Sequence, residues 1–204
     1  MVDIILTLKF FDSIDYLPTR ASVLDFFITK DISKQYKRDE INEEIWKLAK
    51  SGKIVLFDDI YLGLPGWNFE EKLAAHMNRI TDSKVILKKF KKYTKYFKFM
   101  KAIDLVGIYG KNSEKNFCIL NSEFSRFDKL ILKFLGIKDP IIIYTSNLKV
   151  ENKNFKTAYY LLKMPIAYTK PGIYEKFIFK NPWIFDYFGN YPVDKISLNY
   201  KVVL

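Results

Sequence analysis

The densest concentration of chemically capable side chains in this 204-residue chain is a lysine series. Lys84, Lys88, Lys91, Lys92, Lys95 and Lys98, together with Lys89 and Lys101, put eight ammonium groups between positions 84 and 101, and no acid lies between Asp82 and Asp104. Ile86, Phe90, Tyr93, Phe97 and Met100 repeat with helical spacing in the same stretch, two residues behind the lysines Lys84, Lys88, Lys91, Lys95 and Lys98. Two residues are about 200° of helical rotation, so the lysines fall opposite the apolar stripe. Such a face attracts phosphates or carboxylates. Lysine is a point charge without the planar fork that arginine uses on guanine, so binding there would carry no base preference. Tyr93, Tyr96 and Phe99 could add stacking for single strands. The alternative is that Tyr93 belongs to the core stripe and the lysines form a solvated face.

Other reactive residues are sparse. His76 is the only histidine and Cys118 the only cysteine, so a Cys–His dyad would require them to meet across two elements. A surface histidine and a buried thiol are the simpler expectation. One cysteine excludes an intramolecular disulfide. No zinc-ligand spacing, Walker loop or nucleophile elbow is present.

The elements that must carry these residues follow from periodicity. Ile4, Ile5, Leu8, Phe11 and Ile14 share one face of a helix with Asp3 placed to cap it. Leu17-Pro18 breaks it, and Thr19 caps a second helix running to about Ile28. A polar stretch covers Thr29 to Lys37. A third helix spans about Arg38 to Ser51, with Ile41, Ile45, Leu48 and Ala49 inward and Gly52 as its terminator. A strand over Lys53–Phe57, a turn at Asp58-Asp59 and a strand over Ile60–Leu62 complete three helices and a hairpin, the winged-helix arrangement. Gly63, Pro65 and Gly66 mark a linker. The long basic helix is expected over about Phe69–Lys101, then strands at Ala102–Tyr109 and Asn116–Leu120, a helix at Ser125–Leu135 ending at Gly136, and a strand at Ile141–Thr145. Helices are expected at Phe155–Leu162 and Tyr174–Asn181, an aromatic segment at Trp183–Phe188, and a final strand within Ile196–Val203. The fold class is therefore α/β (α+β): a winged helix over residues 1–65, then a mixed sheet with flanking helices over residues 69–204.

Charge separates the same two parts. Residues 1–83 carry 11 Lys+Arg and 14 Asp+Glu, a net of −3, and the rest carries 23 and 9, a net of +14. With 30 of the basic residues Lys and only 4 Arg, AT-rich coding is an alternative source of the excess. Apolar residues at 49% and charged residues at 28% make a globular balance. No apolar run reaches the roughly 18 residues of a membrane span, and Asp3 stands where a signal peptide carries positive charge. The expectation is a cytoplasmic protein without a membrane partner.

In order along the chain, Thr7-Leu8-Lys9-Phe10-Phe11-Asp12-Ser13-Ile14-Asp15-Tyr16, Leu48-Ala49-Lys50-Ser51-Gly52-Lys53-Ile54, Met164-Pro165-Ile166, Gly172, Tyr174-Glu175-Lys176-Phe177 and Asn181-Pro182-Trp183-Ile184 are similar to segments of a bacterial and archaeal family. That family consists of nucleotidyltransferase-like proteins with an N-terminal winged helix. The resemblance implies a strand ending in Gly-Ser, a loop, and Asp-x-Asp on the next strand. Two carboxylates at i and i+2 share one strand face and, with a third acid, hold two metal ions for phosphoryl transfer. The Gly-Ser loop brings backbone N–H groups to the triphosphate. Here Gly110 stands at the glycine, Lys111 replaces the serine, and Asn116 and Cys118 occupy the two aspartate positions. An amide supplies no anionic ligand, and a thiol is too soft for magnesium. Ile141–Thr145 contains no third acid, and Asp139 lies before that strand. Glu114 and Glu123 flank the degenerate strand and are the only replacements nearby.

The expected recognition helix opens Arg38-Asp39-Glu40 and adds Glu43 and Glu44, with Lys47 and Lys50 late. That order suits the helix dipole and repels phosphates. The wing tip, Asp58-Asp59, is also acidic. The module is thus expected to be structural or protein-contacting. The function expected of the whole is non-catalytic binding on a degenerate nucleotidyltransferase scaffold. Its lysine-rich helix would contact nucleic acid (RNA or single-stranded DNA) or an acidic protein, with no cofactor and with oligomerisation open. Two alternatives stand beside it: a magnesium-dependent nucleotidyltransferase with relocated acids, and a scaffold subunit of a larger assembly.

Overall fold

The chain is described by a computed structural model covering residues 2–29, 36–109, 115–135, 137 and 140–198, apart from the side chains at 2, 83, 89, 91, 115, 197 and 198. It is mixed α/β. Two compact units divide it, residues 1–79 with 183–192, and residues 80–182 with 193–204.

In the first unit, α1 (Val2–Ser13), α2 (Arg20–Asp25) and α3 (Arg38–Lys50) precede β1 (Val55–Phe57) and β2 (Tyr61–Gly63), and α4 (Phe69–Phe99) begins here. Of the expected inward face, Ile4, Leu8 and Phe11 of α1 and Ile14 just after it are buried, and Ile5 is half-buried. Buried Thr7 donates through Oγ1 to Asp3 O (2.8 Å) and accepts from Ile28 N (2.9 Å), so its hydroxyl is satisfied as both donor and acceptor. Thr19 caps α2 by accepting from Ser22 N at 3.1 Å. Asp3 does not cap α1. It lies inside the first turn, and its carboxylate accepts from Thr29 Oγ1 and Tyr36 OH, each at 3.3 Å. Gly52, at φ +69°, ends α3 in the left-handed region where glycine carries no Cβ penalty. β1 and β2 pair antiparallel around Asp58 and Asp59, both also at positive φ. The segment containing α8 (Trp183–Tyr187) supplies Phe188 and Tyr191, whose rings lie 5.1 Å from that of Phe26. Lys72 and Arg79 of α4 pair with Asp12 (2.7 Å) and Asp15 (2.6 Å).

The second unit holds the rest of α4, then β3 (Ile103–Tyr109), β4 (Lys115–Leu120), α5 (Arg126–Phe134), β5 (Ile141–Tyr144), α6 (Phe155–Leu162), β6 (Ile166–Thr169), α7 (Ile173–Phe179) and α9 (Asp194–Leu198). The sheet order is β5-β4-β3-β6, with β3 antiparallel to both neighbours and β4 parallel to β5. The parallel pair requires a crossover, and α5 is that crossover. Phe90 and Phe97 of α4, Met100 just after it, and Leu132 and Leu135 at α5 cluster with Ile103, Val106, Ile108, Cys118 and Leu120 of the sheet. Phe117 packs against Phe177 of α7 with the rings tilted and their centres 5.3 Å apart. Gly107 is required by close approach: a Cβ there would stand 2.6 Å from Met164 Sδ. Buried Asn181 donates to Leu148 O (2.6 Å) and Phe177 O (2.8 Å) and accepts from Val150 N (2.9 Å), tying α7 to the segment after β5.

Several elements differ from the sequence expectation: Gly63, expected in the linker, is the last residue of β2, and the second helix, expected to about Ile28, ends at Asp25. β6 was not anticipated, because its four residues sit between Pro165 and Pro171 and do not alternate: Ile166 and Ala167 are both buried. The expected strand at Ile196–Val203 begins instead as a helical turn over Asp194–Leu198, where Ile196 N donates to Val193 O and Ile196 is the buried anchor; residues 199–203 lie outside the described residues.

Candidate functional site

The β3–β4 pair holds the strand on which the Asp-x-Asp pattern would lie. Asn116 faces Ile108 and Cys118 faces Val106 in the ladder. Spacing of two puts both side chains on one face. Asn116 is half-buried. Cys118 is fully enclosed in the core beneath α4 and α5, and burial pushes its thiol up to about 12. A protonated, enclosed thiol is neither a metal ligand nor a nucleophile. Gly110, Lys111 and Glu114 lie outside the described residues, as does Asp139. Glu123 is exposed beyond the C-terminal end of β4. The strand from Asn116 to Leu120 alone covers about 13 Å, so Glu123 is not brought to Asn116. Among the described residues, no three His, Cys, Asp or Glu side chains gather closely enough to hold a metal ion.

His76 and Cys118 form no dyad. His76 is not a surface histidine: it is buried in the first unit, its ring edge-on to Tyr16 (5.0 Å) and near Tyr61 (6.1 Å). Burial, then the charge of Arg79, lowers its pKa. Tyr109, at the end of β3, is raised by burial against the opposing effect of its hydrogen bond with Thr157.

Sequence reasoning missed one charged cluster. Asp104 is only 4% exposed at the start of β3. Its Oδ1 accepts from Lys170 Nζ (2.6 Å) and Asn121 Nδ2 (3.1 Å), and its Oδ2 accepts from Thr145 Oγ1 (2.7 Å). Lys170 follows β6, Asn121 follows β4 and Thr145 follows β5, so one carboxylate clasps the ends of all four strands. An acid within the apolar run Ala102-Ile103-Asp104-Leu105-Val106 was the available signal. The ligands of this carboxylate come from three strand ends, and the cluster holds the sheet rather than opening to a substrate. It also lies at the opposite end of the β3–β4 ladder from Asn116.

The lysine series keeps its geometry. Lys84, Lys88, Lys92, Lys95 and Lys98 are exposed on α4, while Phe90, Phe97 and Met100 are buried on the opposite arc. Lys91 shares the lysine spacing; its side chain lies outside the described residues. From Lys84 to Lys98 the face extends about 21 Å along the helix. No ion pair among the described residues engages these five ammonium groups. Tyr93 is half-buried against the core and joins the apolar stripe. Tyr96 and Phe99 are exposed beside the lysines, and Lys95 Nζ lies 5.2 Å from the Tyr96 ring centre.

In the first unit the surface has the opposite sign. Asp39, Glu40 and Glu43 are exposed on α3, and Arg38 is held by buried Asp25 at 2.8 Å. Asp58 and Asp59 are exposed at the hairpin tip. Among the described residues, no helix is long and apolar enough to cross a membrane. Comparison with protein-family models, with curated proteins and with solved structures finds no match.

Proposed function

We propose that this chain is a non-catalytic binding protein that holds single-stranded nucleic acid, without sequence preference, on the lysine face of α4. The observation that carries the reading is five exposed lysines on one helical face, free of acids between Asp82 and Asp104, with Tyr96 and Phe99 exposed beside them. Backbone phosphates supply most of the affinity of such a site, and aromatic faces add stacking that every base can use.

The scaffold reading, a winged helix joined to a degenerate nucleotidyltransferase fold, is supported by the order of elements: three helices and an antiparallel hairpin, then a mixed sheet whose central pair is β3–β4. The enclosed Cys118 and the amide of Asn116 support loss of the metal-dependent reaction. The acids on α3 and at the hairpin tip favour a protein-contacting role for the first unit over duplex reading. A cytoplasmic setting accords with this assignment.

The test is a titration of the whole protein with labelled single-stranded and duplex RNA and DNA at several salt concentrations. Salt-sensitive binding of single strands, lost when Lys88, Lys92 and Lys95 are changed to Glu, is the expected result. Incorporation of labelled nucleotide in the presence of magnesium or manganese would overturn the non-catalytic reading.

A further inference from the structure

The helix α5 turns its broader apolar arc outward. Leu132 and the C-cap Leu135 are buried against the sheet. Phe127, Leu130 and Phe134 are 69%, 65% and 84% exposed, and Ile131 is only partly buried. Positions i, i+3, i+4 and i+7 lie within about 100° of helical rotation, so these four side chains form one stripe. With Tyr96 of α4, Lys133 and Leu135 they line a trough of about 650 Å³. The α5 helix is firmly anchored beneath it. Ser125 and Asp128 cap each other reciprocally, and this engages the only acid on α5.

The shape and the charge of the trough select its occupant. A small-molecule site buries most of its ligand, whereas three of the lining side chains here are themselves more than half exposed. A shallow apolar trough of this length suits one face of a helix. Its two borders are both basic. Lys129 and Lys133, one turn apart, flank the stripe on α5, and Lys92, one turn before Tyr96, flanks it on α4; all are exposed. An occupant with basic or neutral edges would leave these ammonium groups facing nothing or facing like charge.

We infer that the trough between α5 and the end of α4 docks an acidic amphipathic helix from a partner protein. Its apolar residues would seat between Tyr96 and the Phe127-Leu130-Phe134 stripe, and its carboxylates would meet Lys92, Lys129 and Lys133. The site meets the lysine face assigned to nucleic acid at Lys92 and Tyr96 and otherwise lies on α5, so the chain would hold an acidic protein beside a single strand.

The experiment uses the full chain and a labelled synthetic helix with Leu or Phe at i, i+3, i+4 and i+7 and Glu on its edges. Controls are a scrambled peptide of the same composition and a version with Lys for each Glu. The variants Leu130→Asp and Phe134→Ser alter exposed side chains, and circular dichroism checks that they fold. The expected result is binding of the acidic helix alone, weakened at least about tenfold by either variant, with oligonucleotide binding retained. Equal binding of the scrambled peptide, binding unchanged by both variants, or no binding of the acidic helix overturns the inference. Self-association of the wild type that Leu130→Asp abolishes would make a second copy the occupant and overturn it. Loss of oligonucleotide binding in these variants, with peptide binding unaffected, would assign the stripe to base stacking and also overturn it.

Discussion

Neutralising Lys88, Lys92 and Lys95 together, each to Gln, isolates the electrostatic contribution of the α4 face. The three are exposed on the arc opposite the core stripe, so stability should be nearly unchanged. Each lysine that neutralises one phosphate of a single strand contributes about −0.7 to the slope of log K against log salt. Five exposed lysines therefore set a slope of about −3.5 for the wild type, and the two that remain, Lys84 and Lys98, set about −1.4. Between ~50 and ~200 mM salt, affinity should then fall about 100-fold for the wild type and about 7-fold for the variant. Fluorescence anisotropy with a labelled oligonucleotide, repeated across that range, measures both slopes. A wild-type slope close to −1.4, or a variant slope equal to the wild type's, would refute the reasoning. Either result would mean that the phosphates are held elsewhere or that the lysines are solvated.

Three further outcomes follow from the buried groups. Asp104→Ala removes the clasp of four strand ends and should destabilise the second unit by about 2–3 kcal/mol in urea unfolding, less than a fully buried pair because Lys170 regains water. Cys118, its thiol pushed up to about 12, should resist iodoacetamide in the folded protein at pH 8 and take up one label once unfolded, read by mass spectrometry. His76 has its folded pKa below the unfolded value of about 6.5. Above that value both states are neutral and no penalty exists. As pH falls through it the unfolded chain binds the proton first, so stability is lost on going down from about 6.5 toward the lower folded value. His76→Gln should flatten that decline in urea midpoints measured from pH 8 to pH 5.

Legibility in the sequence tracked the number of periodic residues. The helix expected over Phe155–Leu162 coincides with α6, and of the expected inward set on α3, Ile41, Ile45 and Leu48 are buried while Ala49 is half-buried. On α3 these residues repeat on one arc. Thr19 was legible because a cap is a local hydrogen bond between near neighbours. Asp104 was not, because its partners Asn121, Thr145 and Lys170 are 17, 41 and 66 residues away and meet only when four strands align. The burial of His76 likewise depends on Tyr16, from the segment after α1, and Tyr61 of β2.

The α5 surface shows why a correct helix assignment can leave a candidate binding site hidden. Residues 126–135 are apolar at 127, 130, 131, 132, 134 and 135. These positions cover more than one arc of the helix, and periodicity alone does not say which arc meets the sheet. Leu132 and Leu135 are the pair that faces inward, where they join Phe90 and Phe97 of α4 and Met100 in one core on that sheet face. The remaining stripe is then left outside, where monomeric proteins seldom keep a contiguous apolar patch without a use for it. On α4 the choice was never ambiguous, since a lysine arc cannot be buried unpaired. The two helices thus place a legible charged face and an illegible apolar one side by side.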